Sequence, residues 1–213
     1  MSGNGGDRLK AEFNKWALAG KGESMARHHR AITERTLERM KIATGDRVLD
    51  LGCGSGWACR MLAPAVGPRG LVVGVDISDE MIREAQQNPD NPPNTRFLCS
   101  PAEHIPWAPD FFTHVLSVES FYYYDDQRVV LDELKRLLIP GGKVFLLICL
   151  FAESPGSREW VEKLQVPVHV RSAKEYKELL TDAGWRTVAV ERFTPAPGED
   201  DPHAHALLIT ARK

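Results

Sequence analysis

A run of glycines directly after a short apolar segment constrains this chain more than any other feature. Residues 48–57 read VLDLGCGSGW, which contains Gly52, Gly54 and Gly56. The apolar half predicts a buried strand, and glycines lack the Cβ atom that would keep a ligand away from the backbone. The next residues predict a helix, whose first-turn amides have no acceptor within the helix. The pattern indicates a ligand site at the carboxyl edge of an open α/β sheet, although a tight turn without a ligand is the alternative for the loop alone.

An acidic residue at the end of the second predicted strand narrows the ligand class. Asp76 ends segment 71–76, where a carboxylate lies beside the loop and can accept hydrogen bonds from both ribose hydroxyls. Taken alone, without the loop, Asp76 would be interpreted first as a helix cap or a solvated carboxylate. A dinucleotide loop follows GxGxxG, but here the third glycine comes one position early and Trp57 replaces a small residue. Asp50, just before the loop, suits an ammonium group better than a diphosphate. These departures favour adenosine with an amino acid tail over NAD or FAD.

Strand and helix patterns alternate along the rest of the chain. The predicted elements are strands at 47–51, 71–76, 95–99, 114–118, 143–151, 187–192 and 204–211, helices at 57–65 and 79–87, and an irregular stretch at 153–171. The alternation predicts the fold class, a doubly wound α/β domain with a mostly parallel sheet and helices on both faces. With 213 residues, the chain is long enough for one such domain.

Capping signals predict where the later helices begin and end. Asp125 can cap a helix that the Pro140–Gly142 segment stops, and Ser172 with Glu175 forms a capping box. Gly184 suits the left-handed position after that last helix.

The segment before the first strand is amphipathic. Helices are predicted at Leu9–Leu18 and from a cap at Ser24 to about residue 40. Because this segment carries large apolar side chains such as Phe13 and little polar chemistry, we predict that residues 1–40 form a helical lid over the ligand site. A helix packed permanently on the sheet is the alternative.

The chain resembles the class I S-adenosylmethionine-dependent methyltransferases, particularly the small type 11 group that includes menaquinone and ubiquinone C-methyltransferases. The resemblance extends from about Lys41 to the C-terminus. Five segments carry it in the family's order: VLDLGCGSGW (48–57), GVDIS (74–78), PAEHIPW (101–107), FTHVLSVES (112–120) and IPGGKVFLL (139–147). Pro101 and Thr113 stand where the family usually has Asp. The resemblance implies a seven-stranded Rossmann-like sheet with the last strand antiparallel, S-adenosylmethionine as cofactor, and residues 41–213 as the domain that binds it.

By the same resemblance, nine residues are expected to bind the cofactor. Gly52, Gly54 and Gly56 would line its methionine tail, and Asp50 would help hold that tail. Asp76 would bind the ribose, and Ser117 would lie near the amino group. Ile77 would pack on adenine, and Ala102 and Glu103 would flank the base.

Methyl transfer from a sulfonium is an in-line displacement, so alignment and exclusion of water carry most of the catalysis. A general base is needed only if the acceptor must lose a proton. Three parts of the chain offer acceptor-side groups: segment 119–124 (ESFYYY), the N-terminal helix with His28 and His29, and the stretch with Trp160 and His169.

We predict Glu119, Tyr122 and His29 as the catalytic residues. A carboxylate leaving a buried strand is costly to bury unless it serves a ligand or a partner. Glu119 could orient or deprotonate the acceptor; pairing with an arginine or capping a backbone amide is an equally weighted alternative. An aromatic ring such as Tyr122 can stabilise the cationic sulfonium, and His29 has the alternative of a core-edge histidine.

The predicted function is methyl transfer to a small-molecule acceptor in the cytoplasm. The alternative is a non-catalytic S-adenosylmethionine-binding regulatory or assembly protein. The net charge of −2, with scattered Lys and Arg, offers no basic face for nucleic acid. The longest apolar run, 144–152, is too short to span a membrane. Oligomeric state is left open.

The four cysteines form no CxxC pair, so no metal site is expected. Cys99 and Cys149 look like interior strand residues. An arsenite methyltransferase, which would need converging thiols, is therefore disfavoured. The absence of a recognisable signal peptide and the apparently reduced thiols favour the cytoplasm.

Overall fold

The computed structural model describes residues 5–155, 157–194 and 205–213 and confirms the predicted fold class. The helices are α1 (Gly5–Leu18), α2 (Lys21–Met40), α3 (Trp57–Val66), α4 (Asp79–Gln87), α5 (Gln127–Leu137), α6 (Ser157–Lys163) and α7 (Ala173–Asp182). The strands are β1 (Arg47–Leu51), β2 (Leu71–Asp76), β3 (Thr95–Cys99), β4 (Phe112–Val118), β5 (Leu138–Ile148), β6 (Arg186–Phe193) and β7 (Ala206–Arg212). Among the helices described, none is both long and apolar enough to cross a membrane.

The strands form one seven-stranded sheet in the order β3-β2-β1-β4-β5-β7-β6. Strands β1 to β5 pair in parallel, and β7 runs antiparallel to both β5 and β6. The antiparallel last strand is therefore confirmed. The strand order reverses between β1 and β4, and the crevice at such a switch point is where open α/β sheets bind ligands.

Helices cover both faces of the sheet, with a hydrophobic core under each. In β4, Val115 packs with the core that contains Leu134 of α5, while Leu116 packs with the core that contains Leu62 of α3. Successive strand residues point to opposite faces, so the continuous apolar run in β4 is explained by burial on both sides. The sheet is thus fixed between two helical layers, and its carboxyl edge is left for the site.

Several predicted helix boundaries are wrong. The N-cap of α2 is Gly20, at φ 67° and without a side-chain hydrogen bond, and Ser24 lies inside the helix. The N-cap of α5 is Asp126, whose carboxylate accepts hydrogen bonds from two first-turn amides, and not Asp125. Helix α6 forms within the stretch predicted to be irregular. Only the Asp126 carboxylate replaces the expected side-chain cap, whereas α2 begins at a glycine in the left-handed region without one.

Other local predictions are confirmed. The capping box of Ser172 and Glu175 is present, and Gly184 has φ 74°. Strand β5, by contrast, begins at Leu138 and ends at Ile148, so it includes the Pro140–Gly142 segment and stops before Cys149. Residue 204 of the predicted last strand lies outside the described residues.

Candidate functional site

A cavity of about 1010 Å³ lies at the carboxyl edge of β1, β2 and β4. Its wall includes the glycine loop, the end of β2, segment 100–103 and the turn after β4. Residues of α1, α2 and α6 close the opposite side. The cavity is therefore bounded partly by the sheet domain and partly by the N-terminal helices.

The three glycines of the loop differ in how closely other residues pack against them. Gly52, Gly54 and Gly56 have φ angles of 72°, 51° and 76°, a region that other L-residues rarely adopt. A Cβ atom at Gly52 would lie 2.4 Å from Ser120, and one at Gly56 would lie 2.5 Å from the Phe97 ring. At Gly54 the nearest atom would be 3.9 Å away. Gly52 and Gly56 thus permit close packing, whereas Gly54 leaves room above the loop.

Asp76 ties the end of β2 to this loop. Its Oδ2 accepts a hydrogen bond from the Gly54 amide at 2.9 Å, and its Oδ1 accepts one from the Ser78 amide at 2.9 Å. Burial raises the pKa of Asp76 above its ordinary value, and the amide hydrogen bonds oppose that shift. The carboxylate faces the cavity with its orientation fixed, as a ribose-binding group requires.

Asp50 lies beneath the loop and does not form part of the cavity wall. It is 1% exposed and accepts a hydrogen bond from the Cys59 thiol at 3.1 Å. Burial raises the pKa of Asp50 to about 7, and the Cys59 hydrogen bond opposes this rise. The Asp50 side chain therefore contacts α3 through Cys59 and does not reach the cavity.

Ser117 occupies a similar buried position. Its Oγ lies 2.7 Å from the Ser120 Oγ, which donates to the Leu51 carbonyl oxygen at 2.8 Å. The Tyr124 hydroxyl also donates to Ser120, at 3.2 Å. Sequence reasoning missed Ser120, which links the end of β4 to the residue before the loop.

The predicted cofactor residues fall into two layers. On the cavity wall lie Gly52, Gly54, Asp76, Ile77, Ala102 and Glu103. Behind it lie Asp50, Gly56 and Ser117.

Helix α1 is joined to the sheet domain by apolar and polar contacts. Leu9 is buried, and the Phe13 ring meets the Tyr123 ring edge-on at 5.0 Å between centroids. Asn14 accepts hydrogen bonds from the Ser78 hydroxyl at 2.6 Å and from the Glu80 amide at 3.3 Å. Sequence reasoning missed Asn14, because an asparagine inside a helical pattern carries no sign of a partner on another helix.

The three predicted catalytic residues meet at the other end of the cavity. The Glu119 Oε2 accepts a hydrogen bond from the Tyr122 hydroxyl at 3.1 Å and lies 3.8 Å from the His29 Nε2. The Glu119 Oε1 accepts a hydrogen bond from the Cys149 amide. Glu119 has φ 53°, and its side chain is 14% exposed. The amide-capping alternative considered for Glu119 is thus present, and the carboxylate still borders the cavity.

The remaining acceptor-side candidates have unequal positions. His28 and Trp160 lie on the cavity wall. His169 does not line the cavity, and its backbone amide donates a hydrogen bond to the Tyr122 carbonyl oxygen at 2.8 Å. Burial raises the pKa of Tyr122 well above its ordinary value, so its hydroxyl stays a donor.

Cys149 lies on the wall and Cys99 is exposed, so the prediction that both are interior strand residues is wrong. Cys149 was not recognised as a wall residue because β5 ends at Ile148, three residues before the predicted strand end at residue 151.

Comparisons with known proteins give consistent results. A family model described as "Methyltransferase domain" matches residues 49–146. Demethylmenaquinone methyltransferases from Staphylococcus aureus strains are 27% identical over 191 residues, which cover 78% of this chain and 78% of theirs.

Solved structures give the same indication. One is a chain of the "Complex between the Haloferax volcanii Trm112 methyltransferase activator and the putative methyltransferase". It has a TM-score of 0.82 and 30% sequence identity, and the match covers 94% of this chain and 97% of that chain. A SAM-dependent methyltransferase from Aquifex aeolicus has a TM-score of 0.67 and 23% identity, and covers 84% of this chain and 88% of its own. The Aquifex likeness supports the fold alone.

Proposed function

The chain belongs to the class I S-adenosylmethionine-dependent methyltransferases, and we propose that it methylates a small organic acceptor bound beside Glu119. The observation that carries this proposal is one cavity of about 1010 Å³ that reaches from Asp76 to Glu119. Pockets for single small molecules occupy about 300–1,000 Å³. A cavity at the top of that range, with polar groups at both ends, suits a donor and a small acceptor together.

The residues at the Asp76 end fit the donor. The Asp76 carboxylate offers acceptors for the two ribose hydroxyls, and the space above Gly54 admits the methionine tail. Ile77 and Ala102 offer apolar surface for adenine, with Glu103 beside them. When bound, S-adenosylmethionine supplies a methyl group already activated on a sulfonium.

The residues at the Glu119 end fit the acceptor. An acceptor held here would have its nucleophilic atom directed at the methyl group that the donor would supply, in line with the methyl–sulfur bond. Glu119 orients an acceptor hydroxyl, thiol or amine and takes its proton if one must leave. The Tyr122 hydroxyl holds the carboxylate in place, and His29 lies 3.8 Å away on the same side.

Residues 1–40, described from residue 5, serve as the lid in this proposal. Phe13 and Trp16 of α1 border the cavity opposite the sheet, and their exclusion of water favours displacement at the methyl carbon. Residues 41–213 form the domain that binds the donor.

The aromatic side chains of the cavity wall support one class of acceptor. Phe13, Trp16 and Tyr123 present aromatic surface, which suits a partly apolar, ring-bearing acceptor. The Staphylococcus aureus relatives are named demethylmenaquinone methyltransferases, which supports the same class. The test is a turnover screen of quinols, phenols, amines and thiols with methyl-labelled donor. We expect label transfer to a quinol or phenol; transfer to none of the four classes, with donor binding intact, would favour the non-catalytic alternative.

A second candidate concerns a protein partner. The Haloferax volcanii structure pairs its methyltransferase with the activator Trm112. The likeness over 94% of this chain supports a similar assembly here. Turnover and solubility should then be compared for the chain alone and the chain co-expressed with that activator. A stimulation of turnover only in the co-expressed sample supports the assembly, and equal turnover with separate elution argues against it.

A further inference from the structure

We propose that His29, Glu119 and Cys149 bind one zinc ion and leave its fourth position open toward the cavity. One imidazole nitrogen, one carboxylate oxygen and one thiol sulfur of these residues all lie within 4.8 Å of one another. They come from three separate parts of the fold: α2, the turn after β4 and the residue after β5. All three border the cavity.

The spacing is close to that of a zinc site. Zinc binds nitrogen, oxygen and sulfur at about 2.0–2.3 Å, so a tetrahedral site places ligand atoms roughly 3.3–3.8 Å apart. The His29 Nε2 and the Glu119 Oε2 are already 3.8 Å apart. The Cys149 sulfur lies within 4.8 Å of a ligand atom of each of the other two residues, so side-chain rotation would have to bring it closer for binding.

The groups behind the three residues also suit a metal site. The His29 Nδ1 lies 3.0 Å from the Met25 carbonyl oxygen. Because a carbonyl oxygen has no proton, Nδ1 is the donor, which leaves Nε2, 3.8 Å from the Glu119 Oε2, as the nitrogen that would bind an ion on losing any proton it carries. Metal-binding histidines usually donate their other nitrogen in this way.

The backbone of Glu119 supports a functional role for the cluster. A non-glycine residue at φ 53° is in the left-handed region, and such residues cluster at active sites and ligand clamps. This conformation lets the carboxylate turn back to accept the Cys149 amide, while Tyr122 holds its second oxygen. The Glu119 carboxylate is thereby held in place before any ion binds.

The expectation that the chain lacks a metal site rested on the missing CxxC pairs. That reasoning covers ligands close together in sequence, whereas these three meet only through the parallel pairing of β4 and β5 and the packing of α2. Three protein ligands and one open position are typical of reactive zinc rather than structural zinc. Resting on the proposed function, the open position would take an acceptor thiol or hydroxyl and lower its pKa.

Zinc alone is the probe for the first experiment. The purified chain, stripped with chelator, is titrated with Zn²⁺ in competition with a chromophoric chelator. We expect one ion per chain, at least tenfold weaker binding in Cys149→Ser and in His29→Gln, and unchanged binding in Cys99→Ser and His28→Gln. Each variant is checked for thermal unfolding and for S-adenosylhomocysteine affinity, so that a folding defect is recognised.

Cobalt gives an independent readout of the ligands. Co²⁺ bound at this site should show thiolate-to-metal charge-transfer absorption that is lost in Cys149→Ser and kept in Cys99→Ser. The proposal is overturned if the wild type binds zinc no more tightly than the Cys149→Ser/His29→Gln double variant. It is also overturned if no thiolate band is seen at saturating Co²⁺. Neither measurement involves methyl transfer, so the site and the proposed function can fail separately.

Discussion

The Asp76 carboxylate accepts the Gly54 amide at 2.9 Å, so the acidic end of β2 and the glycine loop form one unit. The second carboxylate oxygen accepts the Ser78 amide just beyond the strand. Removing the Asp76 carboxylate therefore takes two backbone hydrogen bonds from the loop region as well as the proposed ribose contact.

Replacing Asp76 by alanine should weaken S-adenosylhomocysteine binding by about 2–4 kcal/mol, because it removes a charged acceptor from two ribose hydroxyls. Calorimetry of the variant measures this loss. Asp79→Asn is the matched control, since Asp79 is an exposed carboxylate at the start of α4 that pairs with Lys10. Undiminished affinity in Asp76→Ala would remove the ribose assignment.

Alanine at Gly52 should destabilise the fold more than alanine at Gly54. Both positions have positive φ, which costs a non-glycine residue about 1–2 kcal/mol. Only at Gly52 would the new Cβ atom also collide with Ser120, at 2.4 Å. Thermal unfolding of the two variants compares these costs, and equal midpoints would contradict the packing role assigned to Gly52.

Asp50 should make the stability of the fold depend on pH. Its pKa is raised by burial from an ordinary value of 3.8 to about 7, so the folded state holds a proton that the unfolded chain releases. This contribution is fully present below about pH 3.8 and is lost as the pH rises through about 7. The slope reaches roughly 1.4 kcal/mol per pH unit at most.

Denaturant unfolding at several pH values, compared with Asp50→Asn, measures that contribution. The amide cannot ionise, so the difference between wild type and variant should shift steadily from pH 4 to pH 7 and then level off. Parallel curves for the two proteins would mean that Asp50 does not titrate in this window.

The parts of this fold that were predictable are those with local signals. The glycine loop and the Ser172–Glu175 capping box can be identified because each places its chemistry within a few residues. The alternation of strands and helices likewise defines the sheet. The cap of α2 was not predictable, since Gly20 reaches the required backbone conformation without any side-chain signal.

Most of the predicted residues on the cavity wall lie at the sheet edge, with His29 of α2 as an exception. Asp76 follows from its place at a strand end, but Asn14 contacts Ser78 through the packing of α1 on α4. Cys149 likewise becomes a wall residue because β5 ends at Ile148. Contacts between distant elements depend on tertiary packing, which periodicity in one sequence does not specify.

Deleting residues 1–18 should leave a cooperatively folding chain with at least tenfold lower turnover. The seven strands lie outside the deleted segment, which contributes Leu9 to one of the two cores, whereas Phe13 and Trp16 close the cavity. Differential scanning calorimetry tests the fold, and turnover on a verified acceptor tests the lid. Leu18→Ser is the control, since Leu18 is 76% exposed. Full turnover in the deleted chain would make α1 a packing element only.

Glu119→Gln should lower turnover at least about tenfold, or roughly 1.4 kcal/mol in the barrier, while S-adenosylhomocysteine affinity stays nearly unchanged. Glutamine keeps the size of the side chain, and its oxygen can accept the Cys149 amide while its NH2 group donates to the Tyr122 hydroxyl oxygen, but it carries no charge and takes no proton. The structural alternative, in which Glu119 only caps the Cys149 amide, predicts that this substitution changes stability and leaves turnover alone. Single-turnover rates and thermal unfolding together separate the two roles, with Glu191→Gln as an exposed control. Repeating the rates after chelator treatment separates proton transfer by Glu119 from metal binding. If the variant turns over a verified acceptor as fast as wild type under both conditions, alignment of donor and acceptor is sufficient for the reaction.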